Sequence, residues 1–95
     1  MIARFIALVA ALALVPVAGR AAPSGAPVEI SAILALTGPG ALIGASQRQG
    51  LEVLEKHVND TGGIANRPLH FTFLDDQTSP QVEVQLFTGV VAKGA

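Results

Sequence analysis

Residues 34–44 read LALTGPGALIG, and their neighbours decide what they mean. Upstream, residues 28–36 (VEISAILAL) are β-branched and aliphatic, with Glu29 and Ser31 the polar exceptions. A nearly continuous apolar run predicts a strand covered on both faces, as in a parallel sheet. Downstream, over residues 41–61, Ile43, Gln47, Gly50 or Leu51, Leu54 and Val58 recur at steps of three or four, which predicts one stripe of a helix. A strand that stops at Thr37-Gly38-Pro39-Gly40 and hands over to a helix makes a corner. Open α/β sheets hold their ligands there, beyond the carboxyl end of the strand. Glycines at such a corner let backbone approach a ligand, and the helix start offers N–H groups with a partial positive charge. A tight turn with no ligand would use the same residues, so both readings stand at this point.

The rest of the chain supports the same architecture. Arg48, Glu52 and Lys56 sit at i, i+4 steps on another face of the first helix, each step an opposite-charge pair. Gly62-Gly63 is expected to end that helix, because glycine enters the left-handed C′ conformation without a Cβ penalty. Residues 64–68 are a connector. Residues 69–74 (LHFTFL) predict a second strand, with Leu69, Phe71 and Phe73 on one face and His70, Thr72 and Leu74 on the other. After the loop DDQTSP, Ser79 reads as an N-cap with Pro80 at the first helical position. Val82, Leu86, Phe87, Val90 and Val91 form the apolar stripe of a second helix, with Gly89 a poor helix former inside it. Strand, helix, strand, helix predicts an α/β fold with parallel strands and right-handed crossovers. Two strands do not close a sheet, so each is expected to carry a free edge. The chain stops where a third strand should begin and is read as a piece of a larger lobe.

Residues 1–21 read as a secretory signal peptide: Arg4, an apolar run over residues 5–15, the helix breaker Pro16, then Gly19-Arg20-Ala21 with small residues where a signal peptidase inspects the chain. The run is too short for about 30 Å of hydrocarbon, so no stable membrane insertion is expected once it is removed. Residues 22–27 (APSGAP) read as a flexible mature terminus and residues 28–95 as a partial domain.

Composition removes several classes of function. The chain has 95 residues, no cysteine, two histidines and a formal net charge of −1. Arg4 and Arg20 lie in the leader, so the remainder is mildly acidic, and nucleic-acid binding is not expected. Disulfides and structural zinc are excluded as staples. Gly38-x-Gly40-x-x-x-Gly44, with Asp75 and Asp76 closing the second strand, imitates a dinucleotide fingerprint at the wrong spacing, and Pro39 lacks a donor. That leaves an exported NAD(P)-dependent oxidoreductase as the rival of a different class. Adjacent strand residues face opposite ways, so Asp75 and Asp76 are expected to fix the loop rather than form a catalytic pair. His57 and His70 stand apart from any metal-ligand spacing, and no Gly-x-Ser-x-Gly elbow occurs. No catalytic residue, metal or cofactor is predicted.

These residues also carry a resemblance. The strand leading into Leu36-Thr37-Gly38-Pro39, with Ala41 and Gly44, is similar to the opening of the periplasmic leucine/isoleucine/valine-binding protein family, the type I solute-binding proteins of branched-chain amino-acid ABC transporters. Gly50-Leu51-Glu52, then Asn59-Asp60-Thr61-Gly62-Gly63-Ile64 with Arg67, then Asp75-Asp76-Gln77 and Ser79-Pro80 agree in order and spacing. The resemblance implies the first βαβα of a Rossmann-like parallel-sheet lobe of a two-lobed type I periplasmic binding protein, truncated here. It implies a receptor that closes on a small amino acid or related polar solute and presents it to a membrane permease. It places Thr37, Gly38 and Pro39 on the cleft, and Ile43 where relatives often carry an aromatic over the ligand side chain. Asn66 stands where a glycine is usual. The family's main grips on the ligand's carboxylate and ammonium fall on later strands and the second lobe, so this chain alone is not expected to bind tightly.

Overall fold

Two seven-residue strands, β1 (Val28–Leu34) and β2 (Leu69–Asp75), run parallel, with Val28 opposite Leu69 and Leu34 opposite Asp75. The computed structural model describes residues 22–94, so the predicted signal peptide lies outside the described residues. Helix α1 (Ala41–Asp60) connects the strands, and α2 (Pro80–Ala92) follows β2. This is the expected βαβα order. None of these helices is long and apolar enough to cross a membrane.

The helix ends obey their local signals. Thr61 is the C-cap of α1, and Gly62 and Gly63 adopt φ of 103° and 75°. Gly63 N–H donates to Val58 C=O at 2.8 Å and Gly62 N–H to Asn59 C=O at 3.4 Å, the paired bonds of a Schellman ending. Ser79 caps α2 by accepting from Val82 N–H, with Pro80 in the first turn. The connector folds back on itself at Ala65 (φ 49°) and Asn66 (φ 63°), while Ile64 and Arg67 exchange both backbone bonds. Asn66 thus occupies the left-handed region that its short amide tolerates. Arg67 donates from Nε to Ala26 C=O and from Nη2 to Pro27 C=O, and Gly25 N–H donates to Asn66 C=O. The lead-in therefore has no regular structure but is tied to the connector.

Packing departs from the sequence reading in three places. Leu69 and Phe71 are the buried apolar side chains, whereas Ile30 on β1 is 42 % exposed. Cover over both faces of β1 is therefore incomplete: Val28 and residues 32–34 are half-buried, while Glu29, Ile30 and Ser31 are exposed. The inward face of α1 is also rotated from the predicted stripe. Ile43 and Leu54 are exposed, while Gly44, Leu51, Glu55, Val58 and Asn59 turn inward. The third departure explains the second, because the outer edge of β2 is not free. Asn59 accepts from Leu69 N–H at 2.7 Å and donates to Leu69 C=O at 2.9 Å, and Glu55 accepts from Phe71 N–H at 2.8 Å. Two polar side chains occupy the backbone groups that another strand would use. On α2, Val82, Leu86 and Val90 are half-buried, while Phe87 and Val91 are exposed. On the outer face of α1, Arg48 pairs with Glu52 as expected, but Lys56 pairs with Asp60.

Candidate functional site

The strands end side by side, so the loops that follow them meet. Asp76 N–H donates to Leu34 C=O as the last rung of the ladder. The next backbone donors of the first loop then leave the sheet direction. Leu36 N–H and Thr37 N–H donate to Asp75 Oδ1 at 3.0 and 3.1 Å, which is why β1 ends at Leu34 rather than at Leu36. Thr37 Oγ1 donates to Asp75 Oδ2 at 2.7 Å, and Gln77 N–H donates to Oδ1 at 2.8 Å. The Thr37 hydroxyl first, then the Gln77 amide and the Leu36 and Thr37 amides, hold the Asp75 carboxyl below its ordinary range against the opposing effect of desolvation.

A second clasp lies beside the first. Thr78 Oγ1 accepts from Gly40 N–H at 3.0 Å and donates to Thr37 C=O at 2.8 Å. Thr78 N–H donates to Asp76 Oδ1, and Ser79 N–H to Asp76 C=O. To make these bonds Gln77 and Thr78 both adopt φ of 57°, a conformation that β-branched threonine rarely accepts. Gly38 completes the turn at φ 82°, and its C=O accepts from Ala41 N–H. Loop-fixing is therefore what Asp75 and Asp76 do, as the sequence suggested. Thr78 was not singled out in the sequence; its only signal there was its place in a loop after a strand.

A cleft of about 230 Å³ opens next to these clasps, lined by Ala35, Asp76, Thr78, Ser79, Pro80 and Glu83. Thr37, Gly38 and Pro39 are exposed on the adjoining turn, and Ile43 is 68 % exposed on the first turn of α1. The four expected residues thus stand at the carboxyl-terminal rim without lining that cleft. The N–H groups of Thr37, Gly40 and Ala41 are engaged within the chain, so of the donors that the corner suggested these three are already spent.

The dinucleotide reading fits poorly. A Cβ on Gly44 would fall 1.7 Å from Ala35 C=O, so this glycine serves the close crossing of α1 over the end of β1. Asp75, the candidate ribose acceptor, is saturated by four donors from its own chain. His70 Nδ1 meets Glu29 Oε2 at 3.0 Å across the strands, in the open. The described residues contain no group of three or more metal-ligating side chains.

The family described as "Periplasmic binding protein" matches residues 27–95. Leu/Ile/Val-binding protein homolog 1 of Brucella abortus is 31 % identical over 87 residues, covering 92 % of this chain and 24 % of that protein. Leu/Ile/Val-binding protein homolog 3 of Brucella melitensis is 30 % identical over the same length, again 92 % of this chain and 24 % of that protein. The chain spans about a quarter of the length of these curated relatives. No solved structure matches. The matched segment runs from the lead-in through both strands, both helices and the clasped loops, and on that ground the chain belongs to the periplasmic binding protein family.

Proposed function

We propose that the chain supplies one rim of the interlobe cleft in the substrate-binding component of an ABC importer. Its solute is a small amino acid or a related polar molecule, with a branched aliphatic side chain favoured by the names of the relatives. The reading places the mature protein in the periplasm, exported by residues 1–21, with a membrane permease as partner. It involves no catalysis.

The observation that carries the proposal is the pair of clasps at the carboxyl ends of β1 and β2. They hold Thr37, Gly38 and Pro39 in one arrangement beside an open cleft, with Ile43 exposed nearby. A rim fixed before binding loses little conformational freedom when a ligand docks. Closure of a second lobe over it would exclude water by a hinge motion. Titration of the ¹⁵N-labelled chain with L-leucine, L-isoleucine and L-valine tests this reading. Weak, saturable shifts confined to residues 36–44 and 76–80 are expected, with none from NAD(P). Shifts from NAD(P) but not from amino acids would reverse the assignment. Tight binding by this chain unaided would overturn the idea that it holds only part of the pocket.

A further inference from the structure

The glycines of the first loop have a near neighbour in the second. A Cβ on Gly38 would fall 2.8 Å from Gln77 C=O and 3.0 Å from Thr78 Oγ1, and one on Gly40 would fall 3.1 Å from Thr78 Oγ1. Thr78 is thus seated where side chains at both positions would stand. From that seat its hydroxyl accepts from Gly40 N–H at 3.0 Å and donates to Thr37 C=O at 2.8 Å. Those two groups belong to the Thr37–Gly38 and Pro39–Gly40 peptide units, one at each end of the Gly38-Pro39 tip. Both units are trans, so the C=O and N–H of each point opposite ways. Holding Thr37 C=O toward Thr78 turns Gly38 N–H away from it, and holding Gly40 N–H turns Pro39 C=O away. Among the described residues, neither of these outward groups has a hydrogen-bond partner.

We infer that Thr78 is the positioning residue of the rim: its hydroxyl orients both peptide units of the tip and presents Gly38 N–H and Pro39 C=O outward as a donor and an acceptor. Its own backbone bears the cost, since Gln77 and Thr78 both sit at φ 57°, and such strain persists where surrounding contacts impose it. A tip held before the solute arrives loses little freedom on binding, so loosening it costs affinity. This inference rests on the solute-binding reading above and adds what orients that rim. The solute's carboxylate and ammonium stay with the later strands and second lobe to which the resemblance assigns them.

The test uses the ¹⁵N-labelled full chain, first without ligand and then with L-leucine. Thr78→Val keeps the branched shape and removes the hydroxyl, and Thr78→Ser returns the hydroxyl. Without ligand, the residual dipolar coupling of Gly38 N–H should collapse in Thr78→Val while the couplings of the β1 and β2 ladder amides stay in place, and Thr78→Ser should restore it. With L-leucine, Thr78→Val should bind about fivefold more weakly or worse, with Thr78→Ser recovering most of the loss. Thr78→Gly relieves the φ strain, so it is expected to keep the urea midpoint yet lose the Gly38 coupling. It also decides the matter if Thr78→Val fails to fold. A merely structural role would move midpoint and coupling together in Thr78→Gly, and that outcome overturns the assignment. A Gly38 coupling unchanged without the hydroxyl overturns it as well. Silence from L-leucine in the unaltered chain overturns the solute-binding reading instead, and the ligand-free couplings still decide the role of Thr78.

Discussion

At the scale of single residues, two backbone positions are the most exposed to test. Gly44 is the buried residue of α1, and an added methyl would overlap the Ala35 carbonyl at 1.7 Å. Backbone cannot yield as a flexible side chain would. Gly44→Ala should therefore cost about 3 kcal/mol or more, read as loss of the α1 signal in far-ultraviolet circular dichroism or a collapsed urea midpoint. Ala65 presents the opposite case. Its φ of 49° places an L side chain in the left-handed region, which costs roughly 1–2 kcal/mol relative to a relaxed residue. Ala65→Gly removes that strain while loosening the unfolded chain, so a net gain of about 0.5–1 kcal/mol is expected in urea denaturation. Thr78 is strained in the same sense, but its hydroxyl makes both bonds of the second clasp, so its strain sits at the candidate site and is held there by those bonds.

At the scale of elements, the informative contact is α1 against the edge of β2. Glu55 and Asn59 are one helical turn apart, so both reach the same strand, where they meet Phe71 N–H and both backbone groups of Leu69. An apolar side chain at residue 59 would satisfy helix patterning yet strand two backbone groups in a half-buried place. Asn59→Leu should destabilise by about 1–3 kcal/mol, and hydrogen exchange should quicken at Leu69 more than at the ladder amides of β1. Unchanged protection at Leu69 would show that the amide does not close the edge. β1, by contrast, pairs only with β2 among the described residues, and Val84, Phe87 and Val91 of α2 stay exposed.

At the scale of the whole molecule, two charged contacts act at opposite ends of the pH range. The hydrogen bond and charge of Glu29, with a smaller contribution from Glu55, raise the His70 pKa, partly offset by desolvation. Stability from that pair is complete below the unfolded value of about 6.5 and is lost as pH rises through the higher folded value. Asp75 has a lowered pKa, so its contribution is complete above the unfolded value of about 3.9 and is lost as pH falls through the lower folded value. Thermal stability should therefore peak between roughly pH 4 and 6.5. His70→Gln should flatten the alkaline limb by a small amount, because the pair is exposed. Melts followed at 222 nm across pH 3–9 check both limbs, and an alkaline limb that survives His70→Gln would assign it to other groups.

The same scale shows how much could be read before folding. Residues within a turn of one another fixed their own geometry, as at Ser79-Pro80 and Gly62-Gly63, where the hydrogen bonds span three to five residues. The order of elements, the glycine-proline corner and the loop-fixing aspartates were legible for the same reason: hydrophobic period and capping chemistry are local properties. The clasps were not. Asp75 with Thr37, and Thr78 with Gly40 and Thr37, lie 38 to 41 positions apart, and only the parallel register that sets Leu34 beside Asp75 brings them within reach. The inward face of α1 was hidden likewise, since Glu55 and Asn59 look like surface residues until an unpaired strand edge lies beneath them. Sequence alone determined which elements form, where α1 stops and where α2 starts, because those are short-range free energies, whereas the end of β1 at Leu34 was set by Asp75. Tertiary structure alone decided which polar groups are already satisfied, because a hydrogen-bond partner is a matter of position in space.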